Sequence, residues 1–358
     1  MPQEHRAGFE LLGTSLVSYP GMPQGWLHDP LLTGQTIEAA LRTTGVQTDA
    51  SRAIVAINPP GLVSEQTEAI ITLAEEPMTV KARDLSRLQH RALDQALSID
   101  RDPLLVERVN ISGNGFEGVR DPRGLSATRL HGTFHLVTMP TAVQRRVVQA
   151  VESAGLEVTR LTWTLPAALA APADPQLLQQ RVLVMDAGGL TTSIGLFVEG
   201  ALSVSITVEE GGMHVAHAIA AAMHVTVEQA IALSFEASAS RKPEVRDLIE
   251  QSWTKIQAAI APLLADQPRP DVVLLTGRGA LLDGFVEWIE GVTGLQSVVC
   301  RSPHTQRVAE LSRQVGLAPA LGLLEQVTRT VAGPFAPRSP RLVDRVLAHT
   351  RTILTEYF

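Results

Sequence analysis

Cys300 is the only cysteine in 358 residues. No disulfide can form within the chain, and no thiolate cluster can hold a metal. Positive charge is not in excess either. Lys and Arg number 30 against 37 Asp and Glu, a formal charge of -7 at pH 7, which argues against a nucleic-acid binder working through a basic face. Long apolar runs are missing. The nearest, Leu165 to Ala173, is broken by Pro166 and Pro172 and falls well short of the ~20 residues that span a bilayer. The first residues, MPQEHRAGFELL, lack the basic start and apolar core of a secretory signal. These absences lead us to expect a cytoplasmic protein, free or bound at a membrane surface. Apolar residues at 45% and charged residues at 19% describe a globular chain long enough for two or more cores.

Hydrophobic periodicity outlines the elements. An edge strand is expected over Phe9 to Val17, a helix over Leu31 to Thr43, and a short buried strand over Ala53 to Ile57, stopped by Asn58-Pro59-Pro60-Gly61. A helix beginning at Thr79 carries Leu85, Leu88, Ala92 and Leu93 on one face. Strands over LLVERVNIS and Arg129 to Val137 follow, then a helix over Ala142 to Ala154 closed by Gly155. Beyond the loop Ala170 to Pro175, the strand Val182 to Met185 runs into Asp186-Ala187-Gly188-Gly189, and a hairpin is expected at Glu199-Gly200. Helices fill Val215 to Leu264, with Trp253, Ile256, Ile260 and Leu264 at core spacing. A second strand, Val272 to Leu275, again ends in a glycine loop, Thr276-Gly277-Arg278-Gly279.

A glycine directly after a buried strand lets backbone N–H groups approach a phosphate. Asp186 could hold a metal-bound water there, with Thr191 and Thr192 adding hydroxyls. A tight structural turn would use the same residues. The order and spacing of the two loops are similar to the phosphate-2 and adenosine motifs of the actin/Hsp70 superfamily. Asp121 to Thr138, DPRGLSATRLHGTFHLVT, resembles the D-P-x-G-[ML]-S-G-x-R-L segment of FtsA, the bacterial cell-division family, in register at Arg123-Gly124-Leu125-Ser126 and Arg129-Leu130. Gly21 to Asp29, Ala154 to Val158 and Gly200-Ala201-Leu202 extend the resemblance, which runs from about Glu10 to Leu324.

This resemblance implies an α/β, actin-like fold. Two ribonuclease-H-like lobes would face each other across a cleft, one glycine turn in each, with an α+β subdomain of the 1C (SHS2) type inserted. It divides the chain into lobe 1 (1–58 and 165–204), subdomain 1C (59–164), lobe 2 (205–226 and 268–332), a shortened subdomain 2B (227–267), a linker (333–340) and an amphipathic C-terminal helix (341–358). The implied cofactors are ATP and magnesium, bound through Asp186, Gly188, Gly189, Thr191, Thr192, Gly277, Gly279 and Ala280. Departures count against hydrolysis. Leu11 stands where the D-x-G-[ST] aspartate belongs before Gly13-Thr14-Ser15. Trp163 to Ala167 offers no carboxylate in place of the family's E-P-x-x-A. Leu190 and Ser193 replace a glycine and an aspartate, and Arg278 replaces a glycine beside the adenine position. Phosphoryl transfer needs a clamp, a positioned metal and an oriented water, so no catalytic residue and no metal site is assigned.

In Arg341 to Phe358 a stripe of Leu342, Val343, Val346, Leu347, Ile353, Leu354, Tyr357 and Phe358 fits an interfacial membrane helix, with docking on the protein's own body as the plainer alternative. The resemblance then implies a cell-division adaptor at the cytoplasmic face of the inner membrane, peripheral and self-associating. Its partners would be the FtsZ C-terminal tail, the membrane surface and other division proteins through 1C, with no nucleic acid. The rivals are an ATP-driven actin-like switch and a pilus-assembly adaptor of the PilM type. His214, His217 and His224 read as surface histidines, Glu209-Glu210 as a solvated turn, and Arg145-Arg146 as an exposed helix face.

Overall fold

The computed structural model describes residues 10–19, 21, 26–46, 50–235, 242–305 and 310–332. Unbroken apolar runs mark strands covered on both faces, and the clearest of them organises the chain. β9 (Arg181–Ala187) is buried from Val182 onward. It pairs antiparallel with β10 (Thr192–Val198), which turns at Glu199-Gly200 into β11 (Ala201–Val208). Both turn residues adopt positive φ, as a two-residue hairpin requires. On its other side β9 runs parallel to β12 (Val272–Thr276), and β12 to β13 (Ser297–Val299), giving the order β11-β10-β9-β12-β13.

Helices α5 (Gly212–Met223), α6 (Val227–Phe235), α7 (Pro243–Leu264) and α8 (Phe285–Thr293) follow in the same half of the chain. Val215 and Ile219, Trp253, Ile256 and Ile260, and Phe285 and Ile289 share one core with Leu183, Met185, Ile194 and Leu196. The lobe boundary expected at residue 204 is therefore wrong. The β10–β11 ladder runs unbroken from Val198↔Ala201 to Thr192↔Val208, so 181–204 lies in the same sheet as 272–276. The stretch assigned to a separate 2B contributes α7 directly to this core.

A second sheet pairs β1 (Arg52–Ile57) in parallel with β8 (Glu157–Trp163) and has two strands among the described residues. The expectation of a buried strand fails here, since only Ile57 of β1 is buried. The expected edge strand at Phe9 to Val17 is absent too: residues 10–17 carry no strand, and Phe9 is outside the described residues. α1 (Pro30–Thr43) packs on α3 (Thr141–Ser153). α4 (Thr164–Ala170) packs on α9 (Leu311–Ala332), which also touches β1 and β12 and so spans both sheets rather than belonging to one lobe. Ile57, Trp163, Leu165 and Ala318 share a core with Val182, Val184 and Leu274.

Between β1 and β8 lies the insert. β2 (Val63–Thr72), β4 (Arg101–Gly113), β5 (Phe116–Val119) and β7 (Arg129–Pro140) form an antiparallel sheet in the order β2-β7-β4-β5, with β3 (Met78–Thr79) and β6 (Ser126–Ala127) paired beside it. Thr79 lies in β3, not at a helix start. α2 (Ala82–Ala96) begins where Asp84 accepts the Lys81 N–H at 3.0 Å. Its Leu85, Leu88, Ala92 and Leu93 meet Ala69, Ile111, Leu130 and Phe134, each large side chain contributing about 1.5–3 kcal/mol. β8 pairs with β1, so the insert ends before residue 157, short of the expected 164. No single helix among the described residues is long and apolar enough to cross a membrane. The linker and the apolar stripe expected over 333–358 lie outside the described residues.

A glycine-lined crevice as candidate functional site

β9 and β12 are parallel neighbours in the register Asp186↔Thr276, so both glycine loops leave the same edge of one sheet, at the strands' carboxyl ends. They do not face each other from separate lobes. What faces Asp186 from the other sheet is Asn58, just past β1, and Thr164, just past β8. The Asp186 carboxylate is buried and its Oδ2 accepts from Thr164 Oγ1 at 2.6 Å and from Asn58 Nδ2 at 3.1 Å. Asn58 is held in turn, its Oδ1 accepting from Ser193 Oγ at 2.6 Å and Trp163 Nε1 at 3.3 Å. Burial pushes the Asp186 carboxyl above its ordinary value, with the Thr164 and Asn58 hydrogen bonds pulling partly back.

Gly277, at φ 81°, lies directly on this loop. A Cβ there would stand 2.3 Å from the Ala187 carbonyl oxygen and 2.6 Å from Asp186 Oδ1. A third glycine pair, Gly211-Gly212, closes the ring. A Cβ on Gly211 would sit 2.6 Å from the Gly189 carbonyl oxygen. Three amides of these loops are turned inward: Gly188 N–H donates to Thr191 O at 2.9 Å, Gly212 N–H to Gly188 O at 3.0 Å, and Met213 N–H to Gly189 O at 2.8 Å. Thr192 Oγ1 donates to Glu210 O at 2.8 Å and Thr191 Oγ1 to Asn58 O at 3.3 Å.

Glu210 overturns the reading of a solvated turn. Its side chain is buried, Oε1 accepting from Ser252 Oγ at 2.8 Å and Oε2 from Lys255 Nζ at 2.6 Å. Glu209 does stay at the surface side of the loop, where Oε1 accepts the Gly61 N–H at 3.0 Å. Arg278 does not crowd the crevice; its guanidinium lies 5.6 Å over the Phe235 ring. His214 Nδ1 accepts the Gly211 N–H at the start of α5, and no group of three metal-ligating side chains occurs among the described residues. The structure thus brings together Asp186, Gly188, Gly189, Thr191, Thr192, Gly277, Gly279 and Ala280. Sequence reasoning missed Asn58, Thr164, Glu210, Ser252 and Lys255. Only Ser193, noted as a departure, hinted at this network.

Comparison with known proteins identifies the insert. Residues 61–138 match the SHS2 domain inserted in FtsA, the stretch that forms β2 to β7. Cell division protein FtsA of Streptococcus pneumoniae serotype 2 is 22% identical over 359 residues, covering 90% of this chain and 79% of that protein. The chain is thus similar to FtsA over most of its length. FtsA of Bacillus subtilis is 24% identical over 62% of this chain, and FtsA of Agrobacterium fabrum 30% identical over 54%. Against those two, the chain spans half of the relative's length or less, 50% and 43%. Among solved structures, the PilM-PilN type IV pilus biogenesis complex superposes with a TM-score of 0.62 at 14% identity, covering 86% of this chain and 87% of that one. The fold of this FtsA-like chain is accordingly actin-like, α/β with an SHS2 insert.

The crevice as it stands already engages, within the chain, several of the groups that ATP and magnesium would use. The small space beneath the loops, lined by Gly188, Gly211, Gly212, Gly279, Ser252 and Trp253, is about 10 Å³, room for one water at most. Of the Asp186 carboxylate that would face a hydrated metal, Oδ2 is taken by Asn58 and Thr164.

Proposed function

We propose that this FtsA-like chain is a cell-division adaptor, which holds a ring of FtsZ to the inner membrane and associates with copies of itself. The observation that carries the reading is the SHS2 match over 61–138, spliced between two paired strands of an actin-like fold, in a chain similar to FtsA over 90% of its length. The apolar stripe over 341–358 would be the membrane contact. One such helix with a small charge excess binds weakly, and an array of copies multiplies it. Deleting residues 341–358 is expected to release the protein from anionic vesicles in co-sedimentation. Unchanged sedimentation sinks the tether.

The superposition on the PilM-PilN complex favours a second reading, a pilus-assembly adaptor that captures a partner's peptide. The sequence relatives argue for the first, since they are division proteins. Immobilised peptides separate the two: retention on an FtsZ C-terminal tail supports the division adaptor, and retention on a PilN-type peptide alone supports the other.

A further inference from the structure

We infer that Glu210 supplies, from within the chain, the anion that such a crevice would take from a nucleotide, so that the three glycine loops stay closed on α7 without any ligand. Lys255 on α7, its side chain largely exposed, brings its ammonium to 2.6 Å from Glu210 Oε2. The second carboxylate oxygen is taken by Ser252, one helical turn away. Both oxygens of a carboxylate only 3% exposed are therefore satisfied, the condition under which a buried charge is tolerated. Glu210 is tethered beside the loop it closes, since its own carbonyl accepts from Thr192. An entering phosphate would compete with an attached carboxylate whose effective concentration is on the order of millimolar or above. It would also meet loops in which the Gly188, Gly212 and Met213 amides are already bonded within the chain.

The glycines are explained by the same arrangement. Gly211 and Gly277 lie on the neighbouring backbone at distances no side chain permits, so they are needed for loop-to-loop contact whether or not phosphate ever enters. Trp253 supports the closed form from above, its ring edge-on to Phe285 at 5.4 Å and tilted over Trp288 at 5.0 Å. This inference is independent of the adaptor reading; vesicle or peptide binding could fail and leave it intact.

The test is thermal unfolding of the full chain, with and without magnesium ATP or inorganic pyrophosphate. A ligand at a hundredfold excess over its Kd raises Tm by about 4 °C in a protein of this size. The native chain is expected to show no shift with either ligand, and a clear rise with magnesium ATP would overturn the inference. Glu210→Ala is expected to lower Tm and to gain a pyrophosphate-dependent rise of that order, lost again when Lys255→Met is added. If Glu210→Ala does not fold, Glu210→Gln, which keeps the shape and a Ser252 partner, carries the same reading. A variant at Glu210 that folds yet stays blind to pyrophosphate refutes the replacement.

Discussion

Two buried polar junctions join the parts of this molecule, and they are finished differently. The crevice around Asp186 closes on itself, with each carboxylate oxygen of Glu210 and the Oδ2 of Asp186 taken by a donor of the chain. The other junction is the seam where the insert meets β11. There His135 Nε2 lies 2.8 Å from Ser205 Oγ, which donates to Ser64 Oγ at 2.9 Å. Gln66 Nε2 donates to Ser203 O at 3.2 Å, and Arg120 Nη2 to Val198 O at 2.7 Å. A groove of about 400 Å³ lined by Leu62, Ser64, Ser205, Pro262 and Leu263 opens beside it. With Ser205 donating to Ser64, Nε2 carries the imidazole proton, and Nδ1 is buried without a partner. The crevice is a lock in which backbone meets backbone, and the seam is a softer joint of side chains. Changes to the first should be felt through geometry, and changes to the second through protonation.

The largest effect is expected where geometry has no slack. Gly277→Ala places a methyl against the Ala187 carbonyl and Asp186 at a positive φ. Neither the backbone nor the buried carboxylate can retreat, so the loss of stability should be about 3 kcal/mol or more. Urea unfolding measures it as a lowered midpoint at constant m. A variant as stable as the native chain would mean that the loop contact is loose and that the contrast with the seam is false.

Next comes the seam. Burial drives the His135 pKa down from 6.5 to about 4. The folded value lies below the unfolded one, so the stabilisation is complete above pH 6.5 and is lost as pH falls through about 4. Over that window the chain should lose about 3 kcal/mol. His135→Gln should flatten this part of the pH–stability curve. Glu107, the register neighbour of His135 on β4, is raised by burial against the pull of Arg120 and Arg108, which gives it the opposite slope. The histidine's contribution is therefore read from the difference between variant and native curves.

How each junction was legible follows from its chemistry. The crevice announced itself because glycine after an apolar strand is a local signal, and Asp186 and Gly277 were both found from it. Their shared sheet was not legible. Whether a hairpin strand such as β10 stays with β9 or crosses to another lobe depends on long-range pairing, which no local pattern encodes. Glu210 was misread because a Glu-Glu-Gly-Gly string looks like a surface turn. Its partners, Ser252 and Lys255, sit more than forty positions away. The insert was legible from Asp121 to Thr138, yet nothing in that string showed that His135 would be buried against Ser205, seventy positions on. α2 was read correctly except at its start, where the Lys81–Asp84 cap moved the first turn past Thr79.

The smallest expected effect is the most discriminating. Asp186→Asn removes a charge from a site that disfavours it and keeps an oxygen for Thr164 and Asn58 to donate to. Burial raises the folded pKa of Asp186, so the protonated form stabilises the fold below the ordinary value of 3.8, and that benefit is lost as pH rises through the folded value. At neutral pH the charged aspartate is therefore a cost, and the asparagine variant should be more stable by about 1 kcal/mol. The gain should fade in acid, where both side chains are neutral. An aspartate serving a hydrated metal would carry the same cost in metal-free buffer, but added magnesium would then stabilise the native chain and leave the variant unmoved. Comparing the two proteins by urea unfolding at pH 7 and again at pH 4, with and without magnesium, decides whether this carboxylate is a working ligand or a strut between two sheets.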